Sequence, residues 1–277
     1  MPTSVLLLLS TYPDKTPSAG LLRAFDFAAT LGASVTSVVH EVDIPDVRSM
    51  LGYALIDVPE MIAIAEQNSR AHADELTETL SAVANRFQMK VETRRWRGTL
   101  DRAPDYLART ARTFDHSFLV PAQGSWEQFN VVEGILFGSG GPVWLFPADE
   151  ATGHLESVAI AWDGGRAAAR AVRDAIPVLG QTKHVTIVSA TDDKPMDELR
   201  LPDIQRHLAN HGIEVSTRLF ARGDRPIGVA LQEAALESGA GLLVMGAYGH
   251  NRLREFVLGG ATKSILADRK LPILMSH

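Results

Sequence analysis

The same succession of strand and helix patterns runs twice through these 277 residues, and that doubling restricts the available folds more than any other feature. Ser4-Val-Leu-Leu-Leu-Leu-Ser10 reads against Ser157-Val-Ala-Ile-Ala-Trp-Asp163. Each is a short apolar run that ends on a polar residue and leads into a helical stretch, 19–31 in the first copy and 166–179 in the second. A second apolar strand follows at 34–39 and 184–189. Next comes an amphipathic stretch, long in the first copy (59–86) and shorter in the second (197–210). In the long one Ile62, Ala65, Ser69, His72, Leu76, Leu80 and Val83 step by three and four residues, the spacing of one helix face. Alternating strands at 90–97 and 214–222 end at Gly98 and Gly223, and further strands are expected at 118–120 and 242–245. The copies close on 142–146 and 272–275.

Fixed offsets test the alignment. Gly98 to Gly223, Gly124 to Gly249 and Gly134 to Gly259 are each 125 residues apart, whereas Ser4 to Ser157 is 153. The first copy therefore holds 28 extra residues between its second and third strands. Strands alternating with helices imply parallel sheets covered on both faces and joined by right-handed crossovers. The expected fold is α/β: two tandem Rossmann-like domains, 1–149 and 154–277, each a five-stranded, mostly parallel sheet. Ligands of such sheets sit outside the carboxyl ends of the strands, which directs attention to the residues after Trp162, Ser189 and Met245.

Composition narrows the function. With 45% hydrophobic and 22% charged residues the chain is not disordered, and its 6% aromatic content leaves Ala, Leu and Val to build the core. The absence of cysteine excludes disulfides, thiolate chemistry and cysteine-ligated zinc. The apolar run at 5–9 is far short of the ~18 residues of a membrane span, and no basic segment precedes it. A cytoplasmic protein without membrane contact is expected. A pI near 5.8 argues against nucleic acid as a partner. Residues 1–150 carry 12 basic and 19 acidic side chains, net −7, and residues 151–277 carry 15 and 14, net +1. An anionic ligand should prefer the second half.

In that half a strand runs into Gly246 and Gly249, and Gly259-Gly260-Ala261-Thr262 opens the last helix. Glycines let a backbone approach a phosphate closely, and a helix N-terminus offers it free N–H groups. The same glycines serve tight turns and close packing on a sheet, and that reading stands beside the first. Asp163 is open to two roles, accepting from a ligand or capping the helix that starts near Arg166.

The pattern Gly246-x2-Gly249-x9-Gly259, followed by small and hydroxyl residues, resembles the ATP-binding signature of the universal stress protein family. The resemblance extends over the whole chain as a tandem of two such domains, down to the closing Leu271-Pro-Ile-Leu-Met275 strand. It implies adenine near Asp163, with Ala161 at the same strand end. Val188 and Ser189 would line the adenine and ribose side. Met245, Gly246, Gly249, Gly259, Gly260, Ala261 and Thr262 would hold ribose and phosphates, with Mg²⁺ allowed beside them. Gly260 stands where the family commonly has Ser or Thr, so one hydroxyl contact is lost. The family likeness also implies an intramolecular pseudo-dimer through the apolar terminal strands at 143–146 and 273–275, with further association into a homodimer left open.

The first copy has lost these features. Ser10 replaces Asp163, Pro121 replaces Gly246 in the glycine alignment, and Glu127 and Glu133 occupy the loop between Gly124 and Gly134. No nucleotide is expected there. Other chemistry is sparse. His207 and His211 have the spacing of two helical metal ligands but no third ligand beside them. His250 lies in the glycine loop, Arg94-Arg95-Trp96-Arg97 mixes base with aromatic, and His40-Glu-Val-Asp43 places a carboxylate pair, Glu41 and Asp43, after a strand, with a polar loop as the default reading. Gly138-Ser-Gly-Gly141 reads as a turn. Neither a nucleophile elbow nor a Walker loop is present, and no nucleophile–base pair is visible. The expected function is a stress-response module binding ATP or a related adenine nucleotide in its second domain, hydrolysing it slowly at most. The competing class is a nucleotide-free interaction or chaperone-like protein.

Overall fold

The structure, a computed structural model, describes residues 3–45, 58–122, 124–149, 153–193, 195–247 and 260–277. Within it the chain separates into two compact units, Met1–Ser139 and Gly140–His277. The first runs β1 (Ser4–Ser10), α1 (Ser18–Thr30), β2 (Ser34–Val42), α2 (Val58–Arg86), β3 (Val91–Gly98), α3 (Ala103–Ala111), β4 (His116–Leu119) and α4 (Trp126–Gly138). Its strands lie in the order β3-β2-β1-β4, all parallel. In β1 the run Val5 to Leu9 is at most 4% exposed, as a strand covered on both faces requires. In α2, Ser69, Leu76, Leu80 and Val83 are buried while Ile62, Ala65 and His72 are half-buried, so the expected face is the packed one.

The second unit holds β5 (Val143–Leu145), β6 (Ser157–Ala161), α5 (Arg166–Leu179), β7 (His184–Ala190), α6 (Leu201–Asn210), β8 (Val215–Phe220), α7 (Ile227–Glu237), β9 (Leu242–Gly246), α8 (Gly260–Ala267) and β10 (Ile273–Ser276). Its strand order is β5-β10-β9-β6-β7-β8. All neighbours are parallel except β5, written at the end of the first sequence copy, which runs antiparallel to β10 with Leu145 opposite Ile273. The α/β class, the parallel sheet and the repeat are as the sequence implies.

One local departure has a physical cause. The stretch expected to be helical from 197 becomes α6 only at Leu201, where Arg200 takes a left-handed φ of +48° and Pro202 supplies a preset first turn. The extra residues of the first copy go largely into α2, 29 residues against the 10 of α6. In α5 the buried stripe is mostly alanine (Ala167, Ala168, Ala171, Ala175), so the helix axis can come close to the sheet.

Candidate functional site

Three strands of the second unit end level. Ala161 on β6 lies opposite Val188 on β7 and opposite Met245 on β9, and all three are buried. Beyond this row the chain turns through Trp162, Asp163, Gly164 and Gly165 into α5. The Trp162 N–H donates to Val188 O at 3.0 Å, and Ser189 Oγ donates to Trp162 O at 2.7 Å. Ser189 is fully buried, and its hydroxyl fixes the strand end beside Asp163. The Trp162 indole Nε1 donates to Leu199 O at 2.6 Å, which ties the segment after β7 to this turn. Gly164 has a φ of +71°, and a Cβ there would lie 2.3 Å from Glu198 O. Both the conformation and the space demand glycine.

Asp163 is half-buried, and its Oδ1 accepts from Gly165 N–H at 2.8 Å. The helix cap is Gly165 itself, not Asp163; the carboxylate folds the turn one step ahead of the cap. Gly246 is also explained by packing. A Cβ on it would stand 2.3 Å from Ala168 N and 2.4 Å from Ala167 C, so the first turn of α5 rests directly on the end of β9. Gly260 opens α8, followed by half-buried Ala261 and by Thr262, which is 1% exposed. Gly249, Gly259 and His250 lie outside the described residues. The structure thus gathers Ala161, Asp163, Val188, Ser189, Met245 and Gly246 at one edge. Trp162 and Leu199 are the members that sequence reasoning missed, although a Trp beside the strand-ending Asp was visible.

The corresponding edge of the first unit is closed by its own side chains. Leu8 lies opposite Val38 and Leu119, the same ladder row as Ala161, Val188 and Met245. Counting from that row places Val120, not Pro121, at the level of Gly246, which corrects the alignment by glycines. Asp115 N–H on Ser4 O and Gly241 N–H on Ser157 O confirm the count. Leucine for alanine and valine for glycine fill this edge with apolar volume.

Polar side chains then bridge the loops above it. Gln128 of α4 donates to Asp14 O at 2.8 Å and accepts from Ala122 N–H at 2.7 Å, joining the loop after β1 to the loop after β4. Thr11 Oγ1 donates to His40 O at 2.7 Å, so the 2.6 Å bond between Thr11 and Ser69 has Ser69 as donor. Ser69 in turn accepts from Val42 N–H at 2.9 Å, and His72 Nδ1 donates to Thr11 O at 2.9 Å. Ser69 and His72 both sit on the long α2. His40, 5% exposed, donates from Nε2 to Gly98 O at 2.9 Å and stacks on Trp96, with ring centroids 4.8 Å apart. Burial lowers the His40 pKa, and the bond to Gly98 opposes the shift only in part. The cavity left among Leu8, Ser10, His40, Val120 and Gln128 is about 30 Å³, room for a water molecule or two.

The remaining candidates resolve into structure. Arg94 pairs with Glu92 at 2.8 Å, Arg95 with Asp74 at 2.7 Å, and Arg97 with Glu66 and Asp43 at 2.8 Å each. Trp96 is stacked on Tyr106, centroids 4.0 Å apart, as well as on His40. The basic-aromatic cluster is therefore neutralised and packed, and the carboxylates Glu41 and Asp43 pair separately with Arg95 and Arg97. Among the described residues no group of three His, Asp or Glu side chains could hold a metal ion, and no helix is long and apolar enough to cross a membrane.

Comparison with known proteins agrees with the fold. No family model matches the sequence. Over 91 residues the chain is 29% identical to universal stress protein Slr1230 of Synechocystis sp. (strain ATCC 27184 / PCC 6803 / Kazusa), a match covering 33% of this chain and 31% of that protein. The matched part thus spans about a third of that curated relative's length. A universal stress protein from Archaeoglobus fulgidus DSM 4304 superimposes with a TM-score of 0.67 at 18% identity, covering 98% of this chain and 95% of its own. A functionally unknown protein, PA1789 from Pseudomonas aeruginosa PAO1, gives a TM-score of 0.57 at 15% identity, covering 98% and 92%.

Proposed function

We infer that this chain, which has the fold of a universal stress protein along its whole length, is a stress-response module that binds ATP or a related adenine nucleotide in its second unit. The observation that carries the reading is the contrast between the two carboxyl edges. The first is closed by Leu8, Val120 and the Gln128 bridge, whereas the second has Ala161 and Gly246 at the levels of Leu8 and Val120, and Asp163 where the first has Ser10. The row of Ala161, Val188 and Met245 supplies an apolar floor, and the Asp163 carboxylate can accept from the exocyclic amine of adenine or from a ribose hydroxyl. Such a bond to a charged group gives specificity that phosphate contacts cannot.

The residues present fit the group in charge and in backbone chemistry. The second half is near neutral where the first is acidic, and the N–H groups of Gly260, Ala261 and Thr262 open a helix, the backbone arrangement that receives phosphate. Gly249 and Gly259 belong to the same proposed loop. With Thr262 buried, the backbone of this turn rather than its hydroxyl is the phosphate ligand in our reading. ATP supplies the anionic phosphates, with Mg²⁺ beside them. The chain's own residues bind and orient; among the described residues the side chains at this edge include no nucleophile–base pair, and slow turnover at most is our reading.

Calorimetric titration of the full chain with ATP tests the proposal. One bound nucleotide per chain is expected, weakened about 10- to 100-fold in Asp163→Ala, the loss of a hydrogen bond to a charged group. No heat at millimolar ATP with a folded sample would overturn the proposal and favour the nucleotide-free interaction class. Two bound nucleotides would overturn the assignment of the first unit as closed.

A further inference from the structure

His207 and His211 stand on the last turn of α6 and at its C-cap, away from the carboxyl edge described above. Their four-residue separation puts both rings on one helix face, one turn apart. The rings meet edge to face with centroids 5.0 Å apart. Both side chains are exposed, and among the described residues neither ring nitrogen has a hydrogen-bond partner. A buried or structural histidine normally spends at least one nitrogen on a protein group, as His40 does on Gly98 and His72 on Thr11.

Two uncommitted imidazoles at this spacing are a chelating pair. Helical metal sites use the same separation, and imidazole favours zinc, copper and nickel over magnesium or calcium. A 5.0 Å centroid separation lies within the span of two rings that each hold one ion at about 2.0–2.1 Å. The nearest acid on the same face, Asp203, is occupied by Arg200, whose guanidinium lies 2.5 Å from its Oδ2, and lies 3.7 Å from Arg206. Water would therefore complete the shell, giving a partial, open site rather than a closed structural one.

We propose that His207 and His211 form a two-histidine surface site for a divalent transition-metal ion of the imidazole-preferring class, with Zn²⁺ as the representative ion. Binding joins the final turn of α6 to its cap without forming or breaking any covalent bond. The site is independent of the nucleotide reading, because it shares no residue with it.

The test is titration of the untagged full chain with ZnCl₂, followed by calorimetry and by the histidine ring proton signals in NMR. One site of micromolar affinity is expected, with the His207 and His211 signals shifting together. Since losing even an outer-sphere partner of a metal ligand costs about 10- to 100-fold in affinity, His207→Ala and His211→Ala should each weaken binding at least about tenfold. His184→Asn, an exposed histidine at the start of β7, should leave it unchanged. Mg²⁺ should not compete. Zn²⁺ binding that survives both alanine variants, or that falls equally in His184→Asn, would overturn the proposal, as would the absence of any saturable binding. The positions are exposed, and unchanged circular dichroism of the variants separates lost ligation from lost folding.

Discussion

Just beyond β6 the second unit carries Asp163, where the first unit carries Ser10 at the end of β1, and the two loops above differ in what holds them. In the first unit the loop after β1 is held to the loop after β4 by the Gln128 amide, and to the strand after it by Thr11, Ser69 and His72. In the second, the described hydrogen bonds of the equivalent turn run through Trp162 to Val188, Ser189 and Leu199. The first unit thus makes, with its own side chains, the loop-to-loop connection that we propose a nucleotide makes in the second. The helix that supplies Ser69 and His72 contains most of the additional residues of the first repeat. Added length and lost ligand features are in this view one change.

The strongest challenge to the comparison is Gly246→Val, which copies into the second unit the residue that the ladder places there in the first. The new side chain would meet Ala167 and Ala168 backbone, so α5 must shift. A loss of about 3 kcal/mol of stability is expected, with nucleotide binding abolished, measured by denaturant unfolding and calorimetry. A fully stable variant would mean that the strand end is more pliable than its packing implies.

Next in size are the internal bridges. Ser69→Ala leaves the buried N–H of Val42 without its acceptor, and Gln128→Ala does the same to Ala122; each should cost about 1–3 kcal/mol. Because two units need not unfold together, hydrogen exchange is the suitable readout, and lost protection should be confined to residues before Ser139. Loss spread evenly over both units would contradict a local role.

A smaller effect follows from His40. Burial holds its folded pKa below that of the unfolded chain, so the unfolded state binds the extra proton first as pH falls. Stability of the first unit should be complete above about pH 6.5 and decline below it toward the lowered folded value. A His40→Gln variant should lack this component of the pH dependence below about pH 6.5, as followed by exchange or Trp96 fluorescence. Smallest of all is the expected result of Ser10→Asp, which restores the carboxylate to the first unit. With Leu8, Val120 and Gln128 in place it should confer no ATP binding. Binding at a second site would show that one carboxylate, rather than the filled edge, separates the units.

The repeat offsets, the apolar strands and the three-and-four stepping of 59–86 determined the architecture without coordinates, because strand and helix periods are local properties of the chain. Asp163 and Gly246 were likewise visible as candidates from position alone. Other features arose only when distant segments met. That Ser189 faces Trp162 O, that Gly246 is required by α5, and that Val120 rather than Pro121 stands at its level all depend on ladder register and helix approach. The closed edge of the first unit was legible only as lost motifs. Its real cause, the hydrogen bonds of Gln128, Ser69 and His72 to loops 27 to 114 residues away in sequence, is tertiary, since no local pattern records which backbone group a side chain will reach after folding.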